Sequence, residues 1–199
     1  MDEIGNRNPP RWEWRTFGAR LSDIEAKVGL AAQVTPRQSD EIYLLNSVTP
    51  HSAKIRGGVL EVKRLLLVDS NGLEQWSPVF KAPFPLSAPM VRSAFAALEL
   101  RPPDILPGAY GLGDFLAEVA SKAKILRPIQ VTKARRQFVF CNCVAEFVRL
   151  HIGPVAQESL CIEDENPSNV LAALRELGLD PRANISFPKG IERALVSQH

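Results

Sequence analysis

Charged and apolar residues alternate with a period of two along five short stretches. They are Arg11-Trp12-Glu13-Trp14-Arg15, Ala53-Lys54-Ile55-Arg56, Leu60-Glu61-Val62-Lys63, Val131-Thr132-Lys133-Ala134-Arg135 and Leu160-Cys161-Ile162-Glu163-Asp164-Glu165. Successive strand side chains point to opposite faces, so each stretch gathers two or three ionisable groups on one face and apolar residues on the other. One such strand is an ordinary solvent face. Several in a small domain suggest a sheet curled round a charged interior, able to bind a highly charged, phosphate-bearing ligand.

The rest of the pattern places these strands in order. Residues 1–10 are polar, end in Pro9-Pro10 and read as a flexible lead-in. A strand follows over 11–17. Leu21, Ile24, Val28 and Leu30 recur at helical spacing and predict a short helix over 19–30. Residues 34–40 read as a polar loop, and Glu41-Ile42-Tyr43-Leu44-Leu45 as a strand. Gly57-Gly58 suits a tight turn needing φ > 0, and Asn71-Gly72 is a strong hairpin signal, so strands over 52–56, 59–68 and 73–81 form an antiparallel meander. Ser87 can cap a helix over 88–98, and 109–124 also reads as helical. Strands over 129–139, 144–152 and 155–163 come next, the first two joined by a turn near Cys141-Asn142. Asn166-Pro167 starts a helix that buries Val170, Leu171, Leu174 and Leu177 and stops at Gly178. A short strand or loop at 184–187 and a basic helix close the chain. About eight strands, antiparallel where adjacent, with helices between groups, predict an α+β fold rather than a doubly wound one.

At 199 residues, 45% hydrophobic and 23% charged, the chain can bury a real core, and 11–199 is expected to form a single domain. A net charge of +2 argues against a general or sequence-specific nucleic-acid binder. Three cysteines make no disulfide framework and read as small buried strand residues. No apolar run is long enough to span a membrane, and Met-Asp-Glu-Ile-Gly-Asn is no signal peptide, so a cytoplasmic location is expected. Phosphate-cradling glycine loops are absent, and the three histidines have no partner ligands at a recognised spacing. What remains is charge geometry: cations able to surround a phosphate chain, and carboxylates able to hold a bridging divalent ion.

In this arrangement the chain resembles the CYTH domain, or triphosphate tunnel metalloenzymes. That family's opening Glu-x-Glu-x-Lys strand falls on Arg11 to Arg15, with Arg11 in place of the first acid and Arg15 in place of the lysine. Its later basic pair resembles Lys54-Ile55-Arg56, its strand-closing lysine Lys63 or Lys81, and its Lys-x-Arg Lys133-Ala134-Arg135, with Arg136 adjacent. An acid on the next strand corresponds to Glu146, and the late Glu-x-Glu to Glu163-Asp164-Glu165. The segment Asn184 to Lys189 is similar to the family's closing segment.

The resemblance implies a closed antiparallel β-barrel, a tunnel of about eight strands with flanking helices. It implies Mg²⁺ or Mn²⁺ held by Glu13, Glu163 and Glu165, and a small triphosphate-type anion bound by Arg15, Lys54, Arg56, Lys63, Lys81, Lys133, Arg135 and Arg136. Glu61 or Glu146 would position the attacking water. The implied activity is metal-dependent hydrolysis of inorganic, nucleoside or other organic triphosphate. The alternative is a non-catalytic polyphosphate- or nucleotide-binding tunnel, favoured by Arg11, which adds positive charge where the family has a carboxylate.

Overall fold

The computed structural model describes residues 9–18, 21–29 and 36–196. Most of the expected lead-in, and the expected helical positions 19, 20 and 30, lie outside them. The elements are β1 (Arg11–Gly18), α1 (Ser22–Gly29), β2 (Arg37–Leu45), β3 (Ser52–Arg56), β4 (Val59–Val68), β5 (Glu74–Pro83), β6 (Leu86–Ser87), α2 (Ala88–Ala97) and β7 (Ala109–Tyr110). There follow α3 (Leu112–Asp114), a π-helical stretch Phe115–Ala120, α4 (Ser121–Ala123), β8 (Arg127–Phe140), β9 (Cys143–Ile152), β10 (Val155–Asp164), α5 (Pro167–Leu177), a 3-10 turn Pro181–Ala183 and α6 (Phe187–Val196).

Eight strands close into an antiparallel barrel in the order β1-β10-β9-β8-β2-β3-β4-β5, while β6 and β7 form a separate pair. The expected α+β barrel with flanking helices is therefore the fold. The meander forms as the turn chemistry dictates. Gly57 and Gly58 take φ of 55° and 70° between β3 and β4, a conformation in which a Cβ would be strained. At the next turn Asp69 Oδ1 accepts from the backbone N–H of Asn71 (2.9 Å) and Leu73 (2.8 Å), bracing the Asn71-Gly72 reversal. Likewise α5 begins where Asn166 Oδ1 accepts from Ser168 N at 2.9 Å, and it ends at left-handed Gly178.

Two expectations are corrected. The polar stretch before Asp40 is strand from Arg37 onward, because its polar side chains find partners across the sheet: Arg135 donates to Ser39 Oγ (3.1 Å) and Thr132 to Asp40 Oδ1 (2.8 Å). The segment expected to be helical from 109 starts as β7, whose Tyr110 lies opposite Leu86, and helix begins only at Leu112. Of the cysteines, Cys143 and Cys161 are buried as expected, whereas Cys141 is exposed in its turn at φ 49°.

Contacts divide the chain into two compact units. One is chiefly Glu41–Leu65 and Ser77–Gln130, and the other is chiefly Pro10–Asp40, Leu66–Trp76 and the chain from Val131 on. In the first, Ile55, Leu60 and Val62 pack with Val91 and Phe95 of α2 and with Phe115 and Val119. In the second, Trp14, Ala145, Phe147, Leu160 and Ile162 pack with Val170, Ala173, Leu174 and Leu177 of α5. Each fully buried Leu, Ile or Val contributes about 1.5–3 kcal/mol. In both units the helices cover the apolar alternates of the charged strands, which leaves the charged alternates together on the other face. Among the described residues no helix is long and apolar enough to cross a membrane.

Candidate functional site

In the second unit, strand register builds the charged face row by row. Glu13 of β1 lies opposite Glu163 of β10, and Arg15 lies opposite Cys161. Cys161 in turn faces Glu146 of β9, and Glu146 faces Gln137 of β8. Opposed residues of an antiparallel pair share a face, so these six side chains are neighbours.

Arg15 is the hub. Only 7% of its side chain is exposed, and it donates to Glu13 Oε1 (3.0 Å) and Ser159 Oγ (3.1 Å) and lies 3.8 Å from Glu146. Burial works against its charge, but negative charge at Cys161 (when ionised), Glu13 and Glu146 outweighs that, so its pKa is raised and the guanidinium stays protonated. Its backbone is held as firmly: Arg15 N donates to Asn184 Oδ1 (2.8 Å), and Ile185 N donates to Arg15 O (2.8 Å). Arg15 and buried Lys133 share the Phe187 ring, at 5.0 and 3.6 Å from its centroid. Arg11 donates to Glu163 Oε1 at 3.2 Å.

Buried Glu74 stands opposite Glu13 on β5, accepts from Trp76 Nε1 (3.2 Å) and lies 3.9 Å from Lys189 of α6. Burial raises its pKa, with Lys189 opposing. Burial also pushes the Cys161 thiol well above its usual pKa, and the Cys143 thiol up to about 12.

The ligand atoms of Glu13, Cys161 and Glu163 all lie within 4.8 Å of one another, a donor set able to hold a metal ion. The two carboxylates fit a divalent cation as the resemblance implies. Glu165 lies past the end of β10, exposed and outside this set.

The first unit carries its own charged cluster. Glu41 is fully buried, opposite Arg56, and Lys54 lies opposite Glu61. Lys54 Nζ is 3.5 Å from Glu41 and 3.7 Å from Glu61, Arg56 is 3.1 Å from Glu61 and 3.8 Å from Glu41, and Lys81 is 3.5 Å from Glu61. Burial lowers the Lys54 pKa, with Glu41 opposing. Burial would raise Glu61, but Lys54 and Arg56 outweigh it and hold the carboxyl below its usual range.

The remaining expected residues have other neighbours. Lys63 is exposed opposite Ser52, its positive charge bearing on Lys54, and Arg135 bonds Ser39. Arg136 pairs with Glu25 of α1, and with Arg37, Arg149 and Glu158 lines a cavity of about 270 Å³. Sequence reasoning missed Glu41, Glu74, Ser159 and Asn184, and Cys161 as a donor. Glu41 left a signal only as the acidic residue opening the strand-like run to Leu45, and Asn184 only as the start of the segment likened to the family's closing one.

No family model matches the sequence, and no curated protein does. Solved structures match in fold. A hypothetical protein from Pyrococcus furiosus is 15% identical over 89% of this chain and 98% of its own, at a TM-score of 0.53. A Pyrococcus horikoshii protein is 17% identical over 90% and 95%, at 0.50. A candidate adenylate cyclase from Bacillus halodurans is 11% identical over 91% and 95%, at 0.51. At such identities the likeness is one of fold.

Proposed function

We propose that the chain binds a small triphosphate-type anion and hydrolyses it with the help of a divalent metal ion. The observation that carries this reading is the donor set Glu13, Cys161 and Glu163 lying on one strand face with Arg15. Bound there, a divalent ion would supply charge neutralisation to phosphate oxygens. Arg15 and Lys133, both packed on the Phe187 ring, would hold phosphate by charge-assisted hydrogen bonds. In the first unit, Lys54, Arg56 and Lys81 would act likewise, and Glu61, kept ionised by those cations, would orient them rather than serve as a strong base. Glu146 would orient the water whose oxygen attacks the terminal phosphorus as the bond to the bridging oxygen breaks, the water proton leaving with the released phosphate.

A second reading rests on two ion pairs. Arg11 pairs with Glu163 and Arg15 with Glu13, so both carboxylates already have cationic partners, as a metal-free polyphosphate binder would require.

Phosphate release from inorganic triphosphate and from ATP, with Mg²⁺ or Mn²⁺ and with EDTA, separates the two. The hydrolase reading expects metal-dependent release that falls by at least about 10²-fold in Glu13→Gln or Glu163→Gln. Absence of release with every metal, together with thermal stabilisation by triphosphate in EDTA, would establish the binder instead.

A further inference from the structure

Among the described charged residues, only Glu41 has no exposed surface. Strand register places it opposite Arg56, while Tyr43, two residues on, lies opposite Lys54. Its two oxygens divide the cations: Oε2 is 3.5 Å from Lys54 Nζ, and Oε1 is 3.8 Å from Arg56 Nη1. Side-chain exposure rises from none at Glu41 to 18% at Lys54 and 36% at Arg56, so the carboxylate lies deeper than both cations. An incoming anion meets the cations first.

Facing Lys54 are Glu41 and Tyr43 of β2, Arg56 of β3, and Glu61 and Lys63 of β4, and Lys81 of β5 reaches Glu61 at 3.5 Å. Among these groups four cations meet two carboxylates, which leaves a surplus of positive charge for an anion. Burial is the main influence against a charge on Lys54, joined by Arg56 and Lys63. Glu41 is the main influence in its favour, ahead of Glu61. A buried ion pair adds little stability over apolar side chains packed in its place, so the task of Glu41 lies in the cations it holds.

We propose that Glu41 is a positioning residue of the anion site, holding the Lys54 ammonium and the Arg56 guanidinium on the charged face from beyond the ligand's reach. This rests on the anion-binding part of the reading above and gives that site its alkaline limit. Lys54 makes a charge-assisted bond to phosphate only as the ammonium, so affinity falls as pH rises through its pKa. Without the Glu41 charge that pKa drops further, and the fall in affinity moves to lower pH.

The test is calorimetric titration of the full chain with imidotriphosphate, a non-hydrolysable triphosphate, in Mg²⁺ and separately in EDTA, from neutral to alkaline pH. In Glu41→Gln the alkaline fall in affinity should come about 1–3 pH units earlier than in the unaltered chain, the ligand's own ionisation being common to both. Added to Lys54→Met, Glu41→Gln should produce no displacement, and one that persists there overturns the inference. Should Glu41→Gln fold poorly, carbon NMR of the unaltered chain decides: the Glu41 carboxyl signal should move as Lys54 titrates, and an unmoved signal overturns the pairing. Equal profiles for a folded Glu41→Gln variant and the unaltered chain overturn this inference alone. No binding by the unaltered chain in either buffer overturns the anion-binding reading with it, whereas binding without release of phosphate from triphosphate removes only the hydrolase.

Discussion

Replacing Arg15 by Met tests the charged face most directly, because the side chain is almost wholly buried and has three polar partners. Methionine preserves most of the packing volume and removes the charge. Glu13 and Glu146, with side chains only 12% and 17% exposed, then lose a cation at 3.0 and 3.8 Å, and Ser159 loses a donor at 3.1 Å. Breaking a buried ion pair from one side costs about 3–5 kcal/mol, because an uncompensated charge is left behind. At a urea slope of about 2–3 kcal/mol per molar, the unfolding midpoint at neutral pH should fall by roughly 1–2 M. A proton relieves an uncompensated carboxylate, so the penalty should shrink under mild acid. The assay is urea unfolding at neutral and mildly acidic pH, followed by circular dichroism. A neutral-pH loss below about 1 kcal/mol, within the range of a surface pair, would refute the account of Arg15 as a buried hub.

Glu61 and Glu74 should change the pH–stability curve in opposite directions. Glu61 is held below its unfolded pKa, so its contribution is present above the unfolded carboxylate range and is lost as pH falls through the lower folded value; Glu61→Gln should flatten that acid limb. Glu74 is raised, so stability falls as pH climbs from the unfolded to the higher folded value, and Glu74→Gln should remove that decline; equal curves for the two variants would contradict the assignments. A methyl at Gly190 would run into the Phe17 ring, so Gly190→Ala should cost about 1–3 kcal/mol. At about 2–4 °C per kcal/mol for a chain of this size, an unchanged Tm would show that Phe17 moves aside freely.

What the sequence made legible was local. Gly57-Gly58, Asn71-Gly72 and the Asn166-Pro167 to Gly178 frame each carry their own turn or cap chemistry, and the elements formed where those residues stand. Alternation also placed Glu13 with Arg15, and Lys54 with Arg56, on common faces, because that needs only the period of a strand. Pairing between distant strands was not legible. Nothing near Glu74 announces that it will lie opposite Glu13, nor anything near Asn184 that it will accept from Arg15 N. Cys161 read as packing because its donor role depends on a neighbour 148 residues away, Glu13, and Ser39 and Asp40 read as loop because their partners lie on β8.

The pairing of β1 with β10 also sets the order in which the protein can take shape. Arg11 and Glu163 are 152 residues apart, and Arg15 waits for Asn184, 169 residues on. A ribosome adding about 5–20 residues per second leaves β1 without these partners for roughly 8–30 s. Through that interval β5 can pair with Arg11 to Glu13, but Trp14 lacks the β10 strand that will lie against it. Barrel closure therefore belongs to the late, non-local class of folding events, slow by topology, and nascent β1 is the segment a chaperone would meet first.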